Sequence, residues 1–140
     1  FPNIVTIKEA AGRVDRVSEL VRRAPKNFTV LSGDDSLTLP FLAVGAAGVV
    51  SVASNLFPKE ISRLVSLFLE GKAADAQAVH QKFFPLFRDL FIEPNPVPVK
   101  TALGWRGAMS ADVRLPLTPM SQANAARLRQ TLGELEEALG

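Results

Sequence analysis

The sequence predicts an α/β fold in which a parallel sheet with its helices is followed by an all-helical C-terminal segment. Short apolar runs rich in β-branched residues occur at residues 4–10, 28–31 and 48–52, and such runs are typical of strands buried on both faces. Segments with helical periodicity separate them, as in right-handed βαβ units. The second half shows only helical patterns. We therefore expect residues 1–71 to form βα units and residues 72–140 to form a helical domain.

The helices of the first half are bounded by residues that commonly end helices. Apolar residues at helical spacing precede Pro25 and predict the first helix: Val14, Val17, Leu20, Val21 and Ala24. A second, short helix is expected to have Pro40 in its first turn and to end at Gly45. A third helix, which contains Ile61 and Leu64, is expected to end at Gly71.

The sequence of the second half predicts two long helices with a shorter helix between them. The first runs from residue 73 to about residue 91, with a kink or a break expected at Pro85. Asn95 is expected to cap the next helix, with Pro96 at its first position. Residues 121–139 form the last helix. Four phenylalanines of the first of these helices are expected in the core or in a subunit interface: Phe83, Phe84, Phe87 and Phe91.

The composition excludes several classes of function. The 140 residues carry a net charge of only +2 and no basic run interleaved with aromatic residues, so no nucleic-acid partner is expected. With no cysteine and one histidine, the chain is expected to bind no metal, and His80 is assigned to packing or to the surface. No apolar run reaches the length of a membrane span, about 18 residues, so no membrane partner and a cytoplasmic location are expected.

The predicted sheet is incomplete by itself. Three apolar parallel strands leave two unpaired edges, which promote aggregation unless something covers them. The chain also begins at Phe1, without a methionine and directly before a strand. We therefore expect it to be part of a longer protein, and to self-associate when it is alone.

The carboxyl ends of the three predicted strands bring reactive groups to one rim of the sheet. Lys8 ends the first strand, the segment 32–35 follows the second, and the corner 50–53 ends the third. Ligands of parallel α/β folds bind at this rim. A neutral lysine there can attack a ketone, and the resulting iminium withdraws electrons from the neighbouring carbon. The alternatives are a lysine that only reaches solvent and a turn in which Asp35 or Ser36 caps the next helix.

Five motifs, in this order, closely resemble the carboxyl-terminal half of the dihydrodipicolinate synthase (4-hydroxy-tetrahydrodipicolinate synthase) family. They are Ile7-Lys8-Glu9-Ala10, Leu31-Ser32-Gly33-Asp34-Asp35, Gly48-Val49-Val50-Ser51-Val52-Ala53-Ser54-Asn55, Glu93-Pro94-Asn95-Pro96-Val97-Pro98-Val99-Lys100 and Leu115-Pro116-Leu117-Thr118-Pro119. The family consists of class I pyruvate aldolases of the N-acetylneuraminate lyase superfamily. The resemblance implies a partial (β/α)8 barrel, of which this chain holds strands six to eight, followed by a C-terminal helical domain.

The resemblance also implies roles for individual residues. Lys8 matches the lysine that forms a Schiff base with pyruvate, without any other cofactor. The loop that matches Gly33, Asp34 and Asp35 lies beside the incoming aspartate semialdehyde. Val50, at a position where isoleucine is usual, offers main-chain contacts near the bound pyruvate. The product belongs to the diaminopimelate route of lysine biosynthesis, and family members are commonly homodimers or homotetramers.

Other functional residues of the family lie outside the matched half. These are the proton-relay tyrosines, the Thr-Thr turn that holds the pyruvate carboxylate, an arginine for the second substrate and the feedback lysine site. This chain has no tyrosine. We therefore expect the isolated chain to be inactive and to need the N-terminal half of the barrel as its partner. Two alternatives remain, which are a non-catalytic half-barrel that pairs with another chain and a related aldolase such as N-acetylneuraminate lyase.

Overall fold

The computed structural model describes all 140 residues and begins with two parallel strands joined by a helix. Strand β1 spans Thr6–Glu9, helix α1 spans Val14–Arg23, and strand β2 spans Thr29–Ser32. In the parallel register Lys8 lies opposite Leu31. The expected βαβ unit is therefore present, and α1 ends just before Pro25 as the sequence predicts.

The third predicted strand is reduced to a single parallel bridge, in which Val49 pairs with Ser32. The Ser32 N–H donates to the Gly48 carbonyl, and the Val50 N–H donates to the Ser32 carbonyl, both at 2.8 Å. The prediction of a regular strand over residues 48–52 is thus wrong. Val52 already has helical dihedral angles, φ −83° and ψ −42°, because the chain turns there into a short 3-10 helix, Ala53–Asn55.

The prediction that the first strand is buried on both faces is also wrong for this chain. Ile4 and Val5 are 57% and 43% exposed, and Glu9 is the only buried residue of β1. The cause is that β2 is the only strand paired with β1, so the opposite edge of β1 has no neighbour.

Five further helices complete the chain. They are α2 (Thr38–Ala43), α3 (Pro58–Leu69), α4 (Ala73–Asp89), α5 (Val97–Trp105) and α6 (Gln122–Leu139), and a 3-10 helix, Asp35–Leu37, precedes α2. Gly45 and Gly71 follow α2 and α3 with positive φ angles, as residues that end helices often do. Helix α4 continues through Pro85 without a break. The prediction that Asn95 caps α5 is wrong, because Pro96 holds the cap position and no side chain bonds there.

The main hydrophobic core lies among the helices. Fifteen buried residues from the segments 42–64, 83–102 and 128–135 form one cluster, whereas only four, Val17, Val30, Phe41 and Ala46, pack beneath the strands. Phe83 and Phe87 are buried in the core, whereas Phe84 and Phe91 are 43% and 45% exposed. The large cluster contains residues from both sides of residue 71. The domain boundary proposed there remains a prediction.

A buried carboxylate ties α4 to α6. Asp89 is fully buried and accepts hydrogen bonds from Arg88 Nε at 2.7 Å, Arg127 Nη2 at 2.8 Å and Thr131 Oγ1 at 2.7 Å. Burial opposes ionisation, but these donors outweigh it and lower the pKa of Asp89 below its usual value. At the start of α6, Ser121 accepts a hydrogen bond from the Asn124 N–H as its cap. No helix has the length and apolar character needed to cross a membrane.

Candidate functional site

Lys8 lies at the carboxyl end of β1, with Gly33 directly beside its side chain. A Cβ atom added to Gly33 would lie 2.8 Å from Lys8 Cε and 2.5 Å from Ala10 Cβ. Separations this short are closer than van der Waals contact, so only glycine leaves room for Lys8 in this position. The Gly33 N–H donates to the Glu9 carbonyl at 2.7 Å, which holds the two strand ends together. Lys8 is exposed and forms no ion pair in the structure.

Asp34 is the acidic group whose pKa responds to the charge of Lys8, although the two side chains form no ion pair. Partial burial raises the pKa of its carboxyl group above the usual value, the charge of Asp35 raises it further, and the Lys8 ammonium opposes this change. The main chain of Asp34 is fixed in place, because its carbonyl accepts hydrogen bonds from the hydroxyls of Ser32 at 2.8 Å and Thr38 at 3.2 Å. Lys8, Gly33 and Asp34 thus lie together at one strand rim, as the sequence predicts.

Asp35 has a different environment. Its side chain is buried, and Oδ2 accepts hydrogen bonds from the main-chain N–H groups of Val52 and Ala53, each at 3.0 Å. Oδ1 is also buried and has no hydrogen-bond partner in the chain. The alternative in which Asp35 or Ser36 caps the next helix is wrong, because no side chain caps that helix or the 3-10 turn before it. The Asp35 carboxylate bonds instead at the start of the later 3-10 helix, Ala53–Asn55.

Val50 presents main-chain groups at the third strand end. Its N–H is bonded to the Ser32 carbonyl, its own carbonyl accepts no hydrogen bond, and its side chain is 43% exposed. The next residue, Ser51, accepts a hydrogen bond from the Ser54 N–H through its hydroxyl at 2.8 Å. The free Val50 carbonyl is therefore available to a ligand at this rim.

Glu9 is a residue of the site that the sequence analysis did not single out. Its carboxylate is buried and accepts hydrogen bonds from Arg16 Nε at 2.7 Å and from the Ala11 N–H at 2.7 Å. The hydrogen bond from Arg16 is the main cause that lowers the pKa of Glu9. Successive side chains of a strand point to opposite faces of the sheet. Glu9 bonds to Arg16 on one face, so Lys8 lies on the opposite face. The signal in the sequence was an acidic residue that ends a strand shortly before an arginine-bearing helix.

The remaining titratable candidate lies elsewhere. His80 is buried on α4 with its ring 5.9 Å from those of Phe84 and Phe87, and burial lowers its pKa. This agrees with a packing role. The structure contains no cluster of three or more histidine, cysteine or acidic side chains arranged to hold a metal ion. The rim of Lys8 therefore offers an amine, a half-buried carboxylate and a free carbonyl, which suits an electrophilic substrate with a carbonyl group.

Comparison with known proteins gives consistent matches. The chain is 50% identical over 133 residues to the 4-hydroxy-tetrahydrodipicolinate synthase of a Sulfurihydrogenibium species, covering 94% of this chain and 45% of that protein. The structure of the same enzyme from Methylacidiphilum fumariolicum SolV is 59% identical, with a TM-score of 0.96 over 99% of this chain and 46% of the other. The Acinetobacter baumannii dihydrodipicolinate synthase, solved as a chloride-inhibited enzyme with pyruvate, is 35% identical, with a TM-score of 0.91 over 97% of this chain and 47% of the other.

Two facts follow from these matches. The chain spans slightly less than half the length of the relatives it matches. The sequence profile described as the dihydrodipicolinate synthetase family matches residues 1–135, which is nearly the whole chain. The chain therefore belongs to the dihydrodipicolinate synthetase family.

Proposed function

We propose that this chain is the lysine-bearing half of a Schiff-base aldolase that condenses pyruvate with aspartate semialdehyde to 4-hydroxy-tetrahydrodipicolinate. This is the reaction of a class I lyase in lysine (diaminopimelate) biosynthesis. The observation that carries the proposal is the position of Lys8, an amine at a strand end for which Gly33 leaves room. The pyruvate bound by the Acinetobacter baumannii relative supports the choice of the first substrate.

The chemistry begins at the amine nitrogen of Lys8. Its nitrogen attacks the keto carbon of pyruvate to form a carbinolamine, which loses water to give an iminium. The iminium draws electrons from the adjacent methyl carbon, which loses a proton and attacks the aldehyde of the second substrate. The amino group of that substrate then attacks the iminium carbon, which closes the ring and releases the Lys8 amine. In this proposal Gly33 and Asp34 lie beside the incoming aldehyde, and the Val50 carbonyl, which accepts no hydrogen bond within the chain, contacts the pyruvate. No cofactor beyond the covalent Schiff base is required.

The strand layer further supports a partial (β/α)8 barrel that other strands complete. The Val49 N–H donates no hydrogen bond and the Val49 carbonyl accepts none, so the outer edge of the third strand is free to pair. A groove of about 360 Å³ runs beside this edge, with Gly48 and Val49 on one wall and Ile61 and Val65 of α3 on the other. We propose that strands of the N-terminal half occupy both free edges, and that the completed protein forms a homodimer or homotetramer.

The proposal also explains why this chain alone should be inactive. Schiff-base formation and aldol addition both move protons, and the chain contains no tyrosine that could relay them. The groups that move the protons would therefore come from the other half. The non-catalytic alternative, a half-barrel that only pairs with another chain, rests on the same free edges.

An assay of the completed barrel tests the proposal. We expect pyruvate to be consumed with aspartate semialdehyde, and N-acetylneuraminate to be left uncleaved. Lys26→Arg is the matched control for Lys8→Arg. Lys26 lies outside the rim, so Lys26→Arg should keep full activity, whereas Lys8→Arg should lose it. Cleavage of N-acetylneuraminate instead would favour the related lyase, and inactivity toward both substrates would favour the non-catalytic alternative.

A further inference from the structure

We propose that Asp35 is a positioning residue, which fixes the turn after the third strand and thereby shapes the pyruvate side of the site. This inference rests on the proposed function. It differs from the role that the family resemblance implies for Asp35, which is a place beside the second substrate.

The hydrogen bonds of Asp35 carry the inference. Its Oδ2 accepts the N–H groups of Val52 and Ala53, which are 17 and 18 residues further along the chain. These two donors are among the first N–H groups of a helical segment, where a carboxylate is a favourable acceptor. A single oxygen of Asp35 thus joins the loop after β2 to the turn after the third strand.

The turn that Asp35 holds is the one next to the pyruvate contact. Val52 follows Val50 by two residues, and the Val50 carbonyl is the free main-chain acceptor of this rim. The third strand pairs with β2 through a single bridge, between Val49 and Ser32. Strand pairing therefore fixes little of the chain after Val50. The Asp35 carboxylate therefore supplies a long-range restraint that the short ladder lacks.

Burial excludes a direct contact of Asp35 with a diffusing substrate in this structure. The residue is 3% exposed, whereas the neighbouring Asp34 is only half-buried and interacts with Lys8. The two adjacent carboxylates therefore have separate tasks. The Lys8 ammonium acts on the charge of Asp34 without an ion pair, whereas Asp35 bonds to the main chain.

Substitutions in the completed barrel test this assignment. Asp35→Ala removes both hydrogen bonds, and we expect the KM for pyruvate to rise about 10- to 100-fold with a smaller change for aspartate semialdehyde, as for a misplaced binding group. Asp35→Asn keeps one acceptor oxygen for the two N–H groups and should restore most of the pyruvate affinity. Ser36→Ala is the matched control, because the Ser36 hydroxyl forms no hydrogen bond in the structure, and it should behave as the wild type.

Hydrogen exchange supplies a readout that does not depend on activity. The amides of Val52 and Ala53 should exchange faster in Asp35→Ala than in Asp35→Asn or Ser36→Ala. The inference is overturned if both Asp35 variants raise the KM for aspartate semialdehyde alone, or if the two amides keep their protection in Asp35→Ala. If Asp35→Ala does not fold, Asp35→Asn decides. A small rise in the KM for pyruvate together with faster exchange of the Val52 and Ala53 amides supports the restraint, because an amide oxygen is a weaker acceptor than a carboxylate. No change in either quantity, or a selective loss of aldehyde affinity, overturns it. A wild-type barrel that forms no borohydride-trapped pyruvate adduct would contradict the proposed function itself, separately from these outcomes.

Discussion

The helical part and the strand part of this chain differ in how much of their apolar surface the chain covers. Fifteen buried residues form a continuous core among the helices, whereas four lie beneath the strands and α1. In the strand part Ile4, Val5 and Val50 remain 57%, 43% and 43% exposed. The chain therefore stabilises its helical part with its own residues and leaves the part that bears Lys8 uncovered.

The difference follows from how helices and strands form the hydrogen bonds of their main-chain N–H and carbonyl groups. A helix forms its hydrogen bonds within itself and needs neighbours only for one face. A parallel strand needs a neighbour on each edge and cover on both faces. The candidate site lies at the ends of strands, so the residues proposed for catalysis belong to the region that depends most on the rest of a barrel.

The largest expected effect on stability comes from the helical core. Phe83 is 1% exposed and packs edge-on against Phe57 with 5.4 Å between ring centroids. Phe83→Ala should lower the free energy of unfolding by about 3–5 kcal/mol, measured by urea denaturation. Ile7→Ala, in the half-covered strand part, should cost about 1 kcal/mol or less in the isolated chain. Equal losses for the two variants would contradict the comparison.

A smaller loss is expected from the buried carboxylate between α4 and α6. Asp89→Asn should lower the free energy of unfolding by about 1–3 kcal/mol, because charge-assisted hydrogen bonds to a buried group are weakened. Asp75→Asn, on the exposed side of α4, is the control and should change little.

The pH dependence of stability gives an independent check on Asp89. Its pKa is lower in the folded protein than in the unfolded chain, where it is about 3.9. The unfolded chain therefore binds a proton first, and the stabilisation from Asp89 is present above about pH 4 and is lost as the pH falls through the folded value. Urea denaturation of wild type and Asp89→Asn should give curves that converge in this acid range. A constant difference down to low pH would argue against the ion pairs.

A further effect on stability, with a large effect on function, is expected at Gly33. The residue is buried, and an added Cβ would lie 2.5 Å from Ala10 Cβ, so the end of β1 must shift and Gly33→Ala should cost about 1–3 kcal/mol. In the completed barrel the added Cβ would displace Lys8 Cε, and trapping of pyruvate by borohydride should slow about 100-fold. Gly48→Ala is a useful comparison, because its nearest added contact is Leu31 Cδ2 at 3.4 Å. A normal trapping rate in Gly33→Ala would show that Lys8 does not need this gap.

Local rules predicted much of this fold and of the site. Pro25, Gly45 and Gly71 marked helix ends correctly, and the rule that parallel strands share a carboxyl rim placed Lys8 beside Gly33 and Asp34. The failures have long-range causes. The end of the third strand depends on the N–H groups of Val52 and Ala53, which donate to Asp35, and no local pattern encodes that contact. The exposure of β1 depends on which strands lie beside it, and the sequence of β1 alone does not contain that information.

We propose that Lys8 is the nucleophile and that it works only when other strands complete the strand part. The direct measurement is peptide mapping by mass spectrometry after incubation with pyruvate and borohydride, for this chain alone and for the completed barrel, each with a Lys8→Arg control. We expect a pyruvate adduct on Lys8 in the completed barrel, none in Lys8→Arg, and little or none in the chain alone. An adduct on a different lysine, or none in the completed barrel, would contradict the account.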